Sequence, residues 1–164
     1  MADMDELDLA ILRELQSDAR KTNRDLAASV GVSPTTALER TRSLRARGII
    51  TGASLEVDLG SIGRGVQALV AVRIRPPSRE VIEAFRDWVS GLPETLGVFV
   101  TTGNDDFIIH VGVRHNDDLY AFVIDRLTQR REVADVRTTV VYEHIRNRAV
   151  VPAGSTTGQG KRGS

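Results

Sequence analysis

Cysteine is absent from the chain, which excludes disulfides, thiolate metal sites and cysteine nucleophiles together. Long apolar runs are missing as well, and none approaches the roughly 18 residues that would cross a bilayer. The opening residues, Met1 to Glu6, lack the basic start and apolar core of a secretory signal, so a cytosolic location is expected. Net charge is also lacking, because 22 basic residues balance 22 acidic ones. The whole-chain balance points to no polyanionic partner, and charge has to be read segment by segment. His110, His115 and His144 do not have the i, i+4 spacing of a helical zinc motif. Gly63-Arg64-Gly65 lacks the lysine and the strand-to-helix context of a nucleotide loop. Neither an enzyme nor a metal or cofactor site is expected. What is present, in 164 residues with 41% hydrophobic and 27% charged side chains, is a soluble globular chain with room for one ordinary domain or two small ones.

Leu7, Ile11, Leu12 and Leu15 recur at helical spacing between Asp5 and Leu15, behind an acidic first turn that suits the helix dipole. Asn23 is expected to cap a short second helix through Leu26, Ala27 and Val30, closed by Gly31. Ser33 as N-cap and Pro34 at the first helical position specify a third helix, expected to run to Arg47 before Gly48. Beyond it, Ile49 to Asp58 reads as short β-prone stretches around Gly52, a small hairpin or wing.

Three short helices with a tight Val30-Gly31-Val32-Ser33 turn before the third are the layout of a helix-turn-helix, whose last helix enters the major groove of double-stranded DNA. Local charge agrees. From Arg20 to Arg47, the basic residues Arg20, Lys21, Arg24, Arg40, Arg42, Arg45 and Arg47 meet only Asp25 and Glu39. Ala37, Thr41 and Leu44 would face the core, which turns Thr35, Thr36, Glu39, Arg40 and Arg42 outward. Arginine can pair bidentately with guanine, threonine offers a hydroxyl and a methyl, and glutamate accepts from cytosine N4. Arg45 and Arg47 are expected at phosphates, which fix register without reading sequence. Arg24 and Ser33 complete the expected DNA-binding set. A basic helix can also be a mere solvated face, but charge, caps, turn and wing point the same way.

Gly60, Gly63 and Gly65 mark a hinge, so the expected layout is a DNA-binding domain at 1–58, a linker at 59–66, a second domain at 67–148 and a flexible tail at 149–164. In the second domain the pattern gives a strand (67–75), a helix (80–90), a strand (96–102) and a turn at Gly103-Asn104-Asp105. A strand (107–113), a helix (117–129) and a long last strand (136–145) follow. The order βαββαβ is the ferredoxin-like split pattern, with both helices on one face of a four-stranded antiparallel sheet. Ala68, Val70, Val72 and Ile74 alternate with Leu69, Ala71 and Arg73, so the first strand is apolar on both faces for most of its length. A partner sheet is the simplest cover, and a dimer through sheet faces is expected. Residues from Pro152 onward carry no apolar anchor and are expected to be unstructured.

The residues Leu7-Asp8, Ile11-Leu12, Leu15, Asp18, Arg20, Leu26-Ala27, Val30-Gly31-Val32-Ser33, Arg40, Leu44 and Gly48-Ile49-Ile50 together resemble the leucine-responsive regulator/AsnC family of transcription factors. The resemblance continues through Thr102-Gly103-Asn104-Asp105-Asp106-Phe107 and covers residues 5 to 145. It implies an α+β architecture: an N-terminal winged helix-turn-helix and a C-terminal ferredoxin-like domain, the regulation of amino-acid metabolism domain. It also implies a homodimer, commonly a tetramer of dimers (an octamer), with a small effector, usually an amino acid, bound between dimers. Two departures stand out. Thr41 replaces the family's usual valine or isoleucine, and its hydroxyl is placed to bond back to the helix carbonyl four residues earlier. Asp105 replaces a common aromatic and sits beside Asp106, which would favour an effector with a cationic group.

An amino-acid effector calls for backbone donors toward its carboxylate and an acidic acceptor for its ammonium. Thr101, Thr102, Gly103, Asn104, Asp105 and Asp106 offer both, with Gly103 permitting close backbone approach. Thr138 and Thr139 are added on family grounds. The same Gly-Asn-Asp-Asp run is also simply a good β-turn. The expected function is sequence-specific transcriptional regulation tuned by an effector. The alternatives are an architectural protein that wraps DNA without an effector, or a small enzyme fused to a DNA-binding module.

Overall fold

The computed structural model describes residues 4–147 and 149–153. The chain divides into two compact units. One draws on residues up to Leu55 together with those from Ile145, and the other is Glu56–His144. The tail expected to be flexible begins at 149; residues beyond 153 lie outside the described residues, while Val150 is bonded to the first unit through Gln16.

The first unit contains α1 (Glu6–Ser17), α2 (Asn23–Val30) and α3 (Pro34–Ala46). Each start is fixed by a side-chain oxygen that accepts an otherwise orphaned helix N–H. Asp5 accepts from Asp8 N at 2.8 Å, Thr22 from Asp25 N at 3.2 Å and Ser33 from Thr36 N at 3.1 Å. The second cap is therefore Thr22, one residue before the expected Asn23. Gly31 ends α2 in the left-handed region at φ 72°, and Val32 N returns to Ala27 O at 3.0 Å, which makes the tight turn into α3. Ile11, Leu26, Ala27, Ala37 and Leu44 form the core of this unit. Thr41 is buried among them and its hydroxyl donates to Ala37 O at 2.8 Å, the back-bond its position implied. α3 stops at Ala46 and Ile49 N and Ile50 N fold back onto Leu44 O. No strand forms in the described chain between Gly48 and Gly65, so the expected hairpin at 49–58 is an extended segment without a β-ladder. Its β-prone residues around Gly52 find no opposite strand to pair with among the described residues.

The second unit runs β1 (Val66–Ile74), α4 (Arg79–Ser90), β2 (Thr95–Val100), β3 (Phe107–Val113), α5 (Asn116–Ala121) and β4 (Val133–Val141). All pairings are antiparallel and the strand order is β2-β3-β1-β4. That is the ferredoxin-like arrangement the βαββαβ order predicts. α5 continues as a π-helical turn over Phe122–Leu127, closed by Thr128 N bonding to Val123 O at 3.0 Å. The helix expected at 117–129 is thus present but underwound and widened in its second half. Ala68, Val70, Val72 and Ile74 on β1 and Phe107, Ile109, Val111 and Val113 on β3 pack with Phe85 and Val89 of α4 and Leu119, Phe122 and Leu127 of the second helix. The opposite sheet face carries Leu69, 39% exposed, and Phe99, 59% exposed. His110 on that face is hydrogen-bonded to Gln67 at 2.9 Å, as a packed strand histidine should be. The expected hinge is ordered: Asp58 accepts from Gly60 N at 3.0 Å and Arg64 N bonds to Leu59 O at 2.7 Å.

Candidate DNA and effector sites

Asp8 sits on α1 at 2% exposure. A buried carboxylate needs donors, and α3 supplies them from two turns. Arg40 donates to Asp8 at 3.2 Å and Arg47 at 3.0 Å, and Arg40 also donates to the N-cap carboxylate of Asp5 at 2.5 Å. Residues seven apart share one helix side, so this clamp fixes the rotation of α3. Arg40 is therefore not fully outward as its place in the sequence suggests: its side chain keeps 40% exposure but is paired with α1. It stands three residues from the buried Ala37, on the flank of the core stripe, and is turned onto α1. Arg47, an exposed residue at the end of α3, is likewise bonded to Asp8.

The clamp leaves another stripe facing out. Thr35, Glu39 and Arg42 are exposed, as are Ser33, Arg45 and, on α2, Arg24. Among the described residues no ion pair engages Arg24, Arg42 or Arg45. Thr36 is half-buried, and its hydroxyl is bonded to that of Ser33 at 2.9 Å across the α3 cap. The backbone N–H of Asp8 and, against some burial, the Arg40 guanidinium hold the Asp5 carboxyl below the usual carboxylate range. Arg40 is in turn pushed up, first by its hydrogen bond to Asp5.

At the other site, Thr101–Asp106 forms a β2–β3 turn with Gly103 at φ 113°, a conformation that glycine tolerates and side chains resist. Thr101 N bonds to Asp106 O at 2.9 Å and the Thr101 hydroxyl donates to Asp105 O at 2.7 Å, which closes the loop at its neck. The N–H groups of Thr102, Gly103, Asn104 and Asp105 donate to no acceptor among the described residues. The two carboxylates are differently placed from expectation. Both Asp105 oxygens accept from Arg137 of β4, at 2.6 and 2.7 Å. Asp106 accepts from Ile74 N at 2.7 Å and lies 3.6 Å from Arg75. Both oxygens of Asp105 and one of Asp106 are thus already engaged by the neighbouring strands, which leaves little of the acidic acceptor the sequence suggested.

Thr138 pairs with Val70 and Thr139 with Leu69, and successive strand residues point to opposite faces. The two threonines therefore cannot line one pocket together, and the residue that β4 brings to the loop is Arg137. Its signal in the sequence was only a basic residue on a predicted strand, with a partner 32 positions away. Arg73, whose side chain donates to Asn104 O at 3.0 Å, is a second loop support that sequence reasoning missed.

A helix-turn-helix unit joined to a ferredoxin-like domain is the construction of a DNA-binding transcriptional regulator. The comparisons agree. Residues 67–151 match the Lrp/AsnC ligand binding domain, and residues 4–51 match a winged helix-turn-helix DNA-binding domain. The HTH-type transcriptional regulator AldR of Mycolicibacterium smegmatis is 36% identical over 144 residues, covering 88% of this chain and 84% of that protein. The leucine-responsive regulatory protein of Escherichia coli is 30% identical over 151 residues, covering 91% and 92%. A transcriptional regulator of Neisseria meningitidis, solved as its complex with L-methionine, is 29% identical with a TM-score of 0.84, covering 93% of this chain and 98% of that one. The chain belongs to the Lrp/AsnC family of transcriptional regulators, and it is not an enzyme.

The clamp predicts a stability effect confined to the first unit. Asp8→Ala lowers its stability by about 1.5–3 kcal/mol, the range for hydrogen bonds to charged groups, whereas Asp5→Ala costs less because Asp5 is half exposed. Thermal unfolding of the full chain measures both. Since the Asp5 carboxyl is held low in the folded state, its contribution is present above its unfolded value and is lost as pH falls through the folded one. Stability should therefore decline from about pH 4 downward, with a shallower decline in Asp5→Asn.

Proposed function

We propose that this chain is a sequence-specific regulator that reads DNA through the outward stripe of α3 and senses an amino acid at the Thr101–Asp106 turn. The observation that carries the first half is the exposed set Thr35, Glu39 and Arg42, with Arg42 free of any ion pair among the described residues. Arg24 and Arg45 are added as phosphate contacts, and Ser33 reaches the backbone at the helix start. Arg40 and Arg47 act as positioning residues that set the presentation of the stripe.

The second half rests on the four unpaired N–H groups around Gly103, which suit a carboxylate. Because Asp105 and Asp106 are engaged within the chain, the ammonium would be met elsewhere. Carbonyls of the same turn or a neighbouring subunit are the available acceptors. L-methionine in the Neisseria relative supports an amino acid as the ligand class. The open sheet face with Leu69 and Phe99 supports a homodimer formed sheet to sheet, with dimers associating further into a tetramer of dimers. An effector acts only through unequal affinity for two states, and dimer–dimer association is the natural pair of states. The working place of such a regulator is the cytoplasm, on the nucleoid. The pairing of Asp105 with Arg137 favours a second reading, an architectural DNA-wrapping protein whose turn is only a turn.

Selection of binding sites from a random DNA pool, followed by titration, tests the reader. Arg42→Ala should weaken binding to the selected sequence by about 1–3 kcal/mol and relax preference at one position. Unchanged affinity and preference would remove Arg42 from the base-reading set. For the sensor, thermal unfolding against the twenty amino acids should give one responsive chemical class, at about 2.7 kcal/mol per site when ligand stands at 100 times its dissociation constant. Gly103→Glu should abolish that response and leave DNA binding intact. A flat panel with the wild-type chain would favour the architectural reading.

A further inference from the structure

Gln16, near the end of α1, turns its side-chain amide to the backbone of Val150. The amide nitrogen donates to Val150 O at 3.0 Å, and Val150 N donates to Gln16 Oε1 at 2.6 Å. One side chain thus satisfies both backbone groups of one residue, as a β-ladder neighbour would. Pro152, which has no N–H to satisfy, follows two residues later. Val150, Val151 and Pro152 border a cleft of about 820 Å³ whose walls include Leu12 and Leu15 of α1 and the Ile49–Ile50 pair after α3. Those isoleucines are themselves tied to Leu44 of α3 through their N–H groups. The groove is mainly apolar; Val151 and Pro152 lie half-buried along it, while Val150, whose side chain is 71% exposed, is held through its backbone.

Chain connectivity gives this contact a further meaning. The chain leaves the first unit after Leu55 and re-enters it at Ile145, just beyond β4. β4 also carries Arg137, the side chain that grips the candidate effector turn through Asp105. The DNA-binding unit is thereby joined to the effector domain by two crossings of the chain.

We propose that Val150–Pro152 is a clasp that seats in the cleft between α1 and the segment after α3, and that its seating maintains DNA affinity. A seated clasp makes the second crossing a restraint. An unseated one leaves the reader on a single connection, with more freedom to lose when it binds. The seating half of the proposal stands apart from any effector, and the affinity half rests on the DNA-binding reading above.

The test uses the full chain. Hydrogen exchange at the Val150 amide should be slow in the wild type relative to a free peptide of the same sequence, and at least tenfold faster in Gln16→Ala. Gln16→Glu, which keeps the acceptor and loses the donor, should fall between them and carries the test should Gln16→Ala lose helicity. Equal rates in wild type and variants would overturn the seating. Because the chain has no cysteine, Ala19→Cys with Val151→Cys gives a unique site for a short bismaleimide. Linkage within one chain supports the clasp, whereas covalent dimers would mean that a second copy fills the cleft and would overturn own-chain seating, as would no linkage at all. Affinity for the selected DNA should drop threefold or more in Gln16→Ala. Unchanged affinity alongside lost protection would overturn the regulatory half. Failure of the wild-type chain to select any DNA would instead count against the function proposed above, with the exchange and linkage results unaffected.

Discussion

The presentation of the outward stripe of α3 depends on the desolvated carboxylate of Asp8. A charge with 2% exposure is tolerable only when donors surround it. Here both oxygens are met by guanidinium groups seven residues apart, from Arg40 on α3 and from Arg47 at its C-cap. A single ion pair would leave the helix free to roll about one contact. Two contacts along its length fix the roll, and with it the choice of residues that face out. Arg40 is shared with Asp5, which also caps α1, so the start of the first helix and the orientation of the third are settled by one connected set of charges.

Most of the architecture was legible because its signals are local. Ser33-Pro34 specifies a helix start from two adjacent residues, and the alternation along β1 and β3 specifies which faces are apolar. Arg40 was misread because periodicity places a residue on a helix side but does not reveal a carboxylate 32 or 35 positions earlier that draws it inward. The hairpin after α3 was overread for a related reason, since β-prone residues around a glycine make a ladder only when a second strand is within reach. The offset from Asn23 to Thr22 is a smaller case. Both are competent caps, and the one placed to accept from Asp25 takes the role.

The candidate effector turn was singled out by its glycine, but its electrostatics could not be read from the order of residues. Adjacent aspartates in a turn look like a binding site for a cation until the neighbouring strands are in place. Arg137 from β4 and the Ile74 amide from β1 then take those oxygens. What the turn keeps is a row of backbone donors, which suits an anion rather than a cation. The acidic look of the sequence and the donor character of the folded loop thus have opposite signs, and tertiary pairing accounts for the inversion.

The discontinuous first unit also bears on biosynthesis. A ribosome delivers α1, α2 and α3 early, with Leu12, Leu15, Ile49 and Ile50 lining an uncovered groove. Val150 and Pro152 emerge only after the whole intervening domain has been made. A nascent chain therefore displays the apolar wall of this groove before Val151 and Pro152 can pack along it, the kind of surface that chaperones bind.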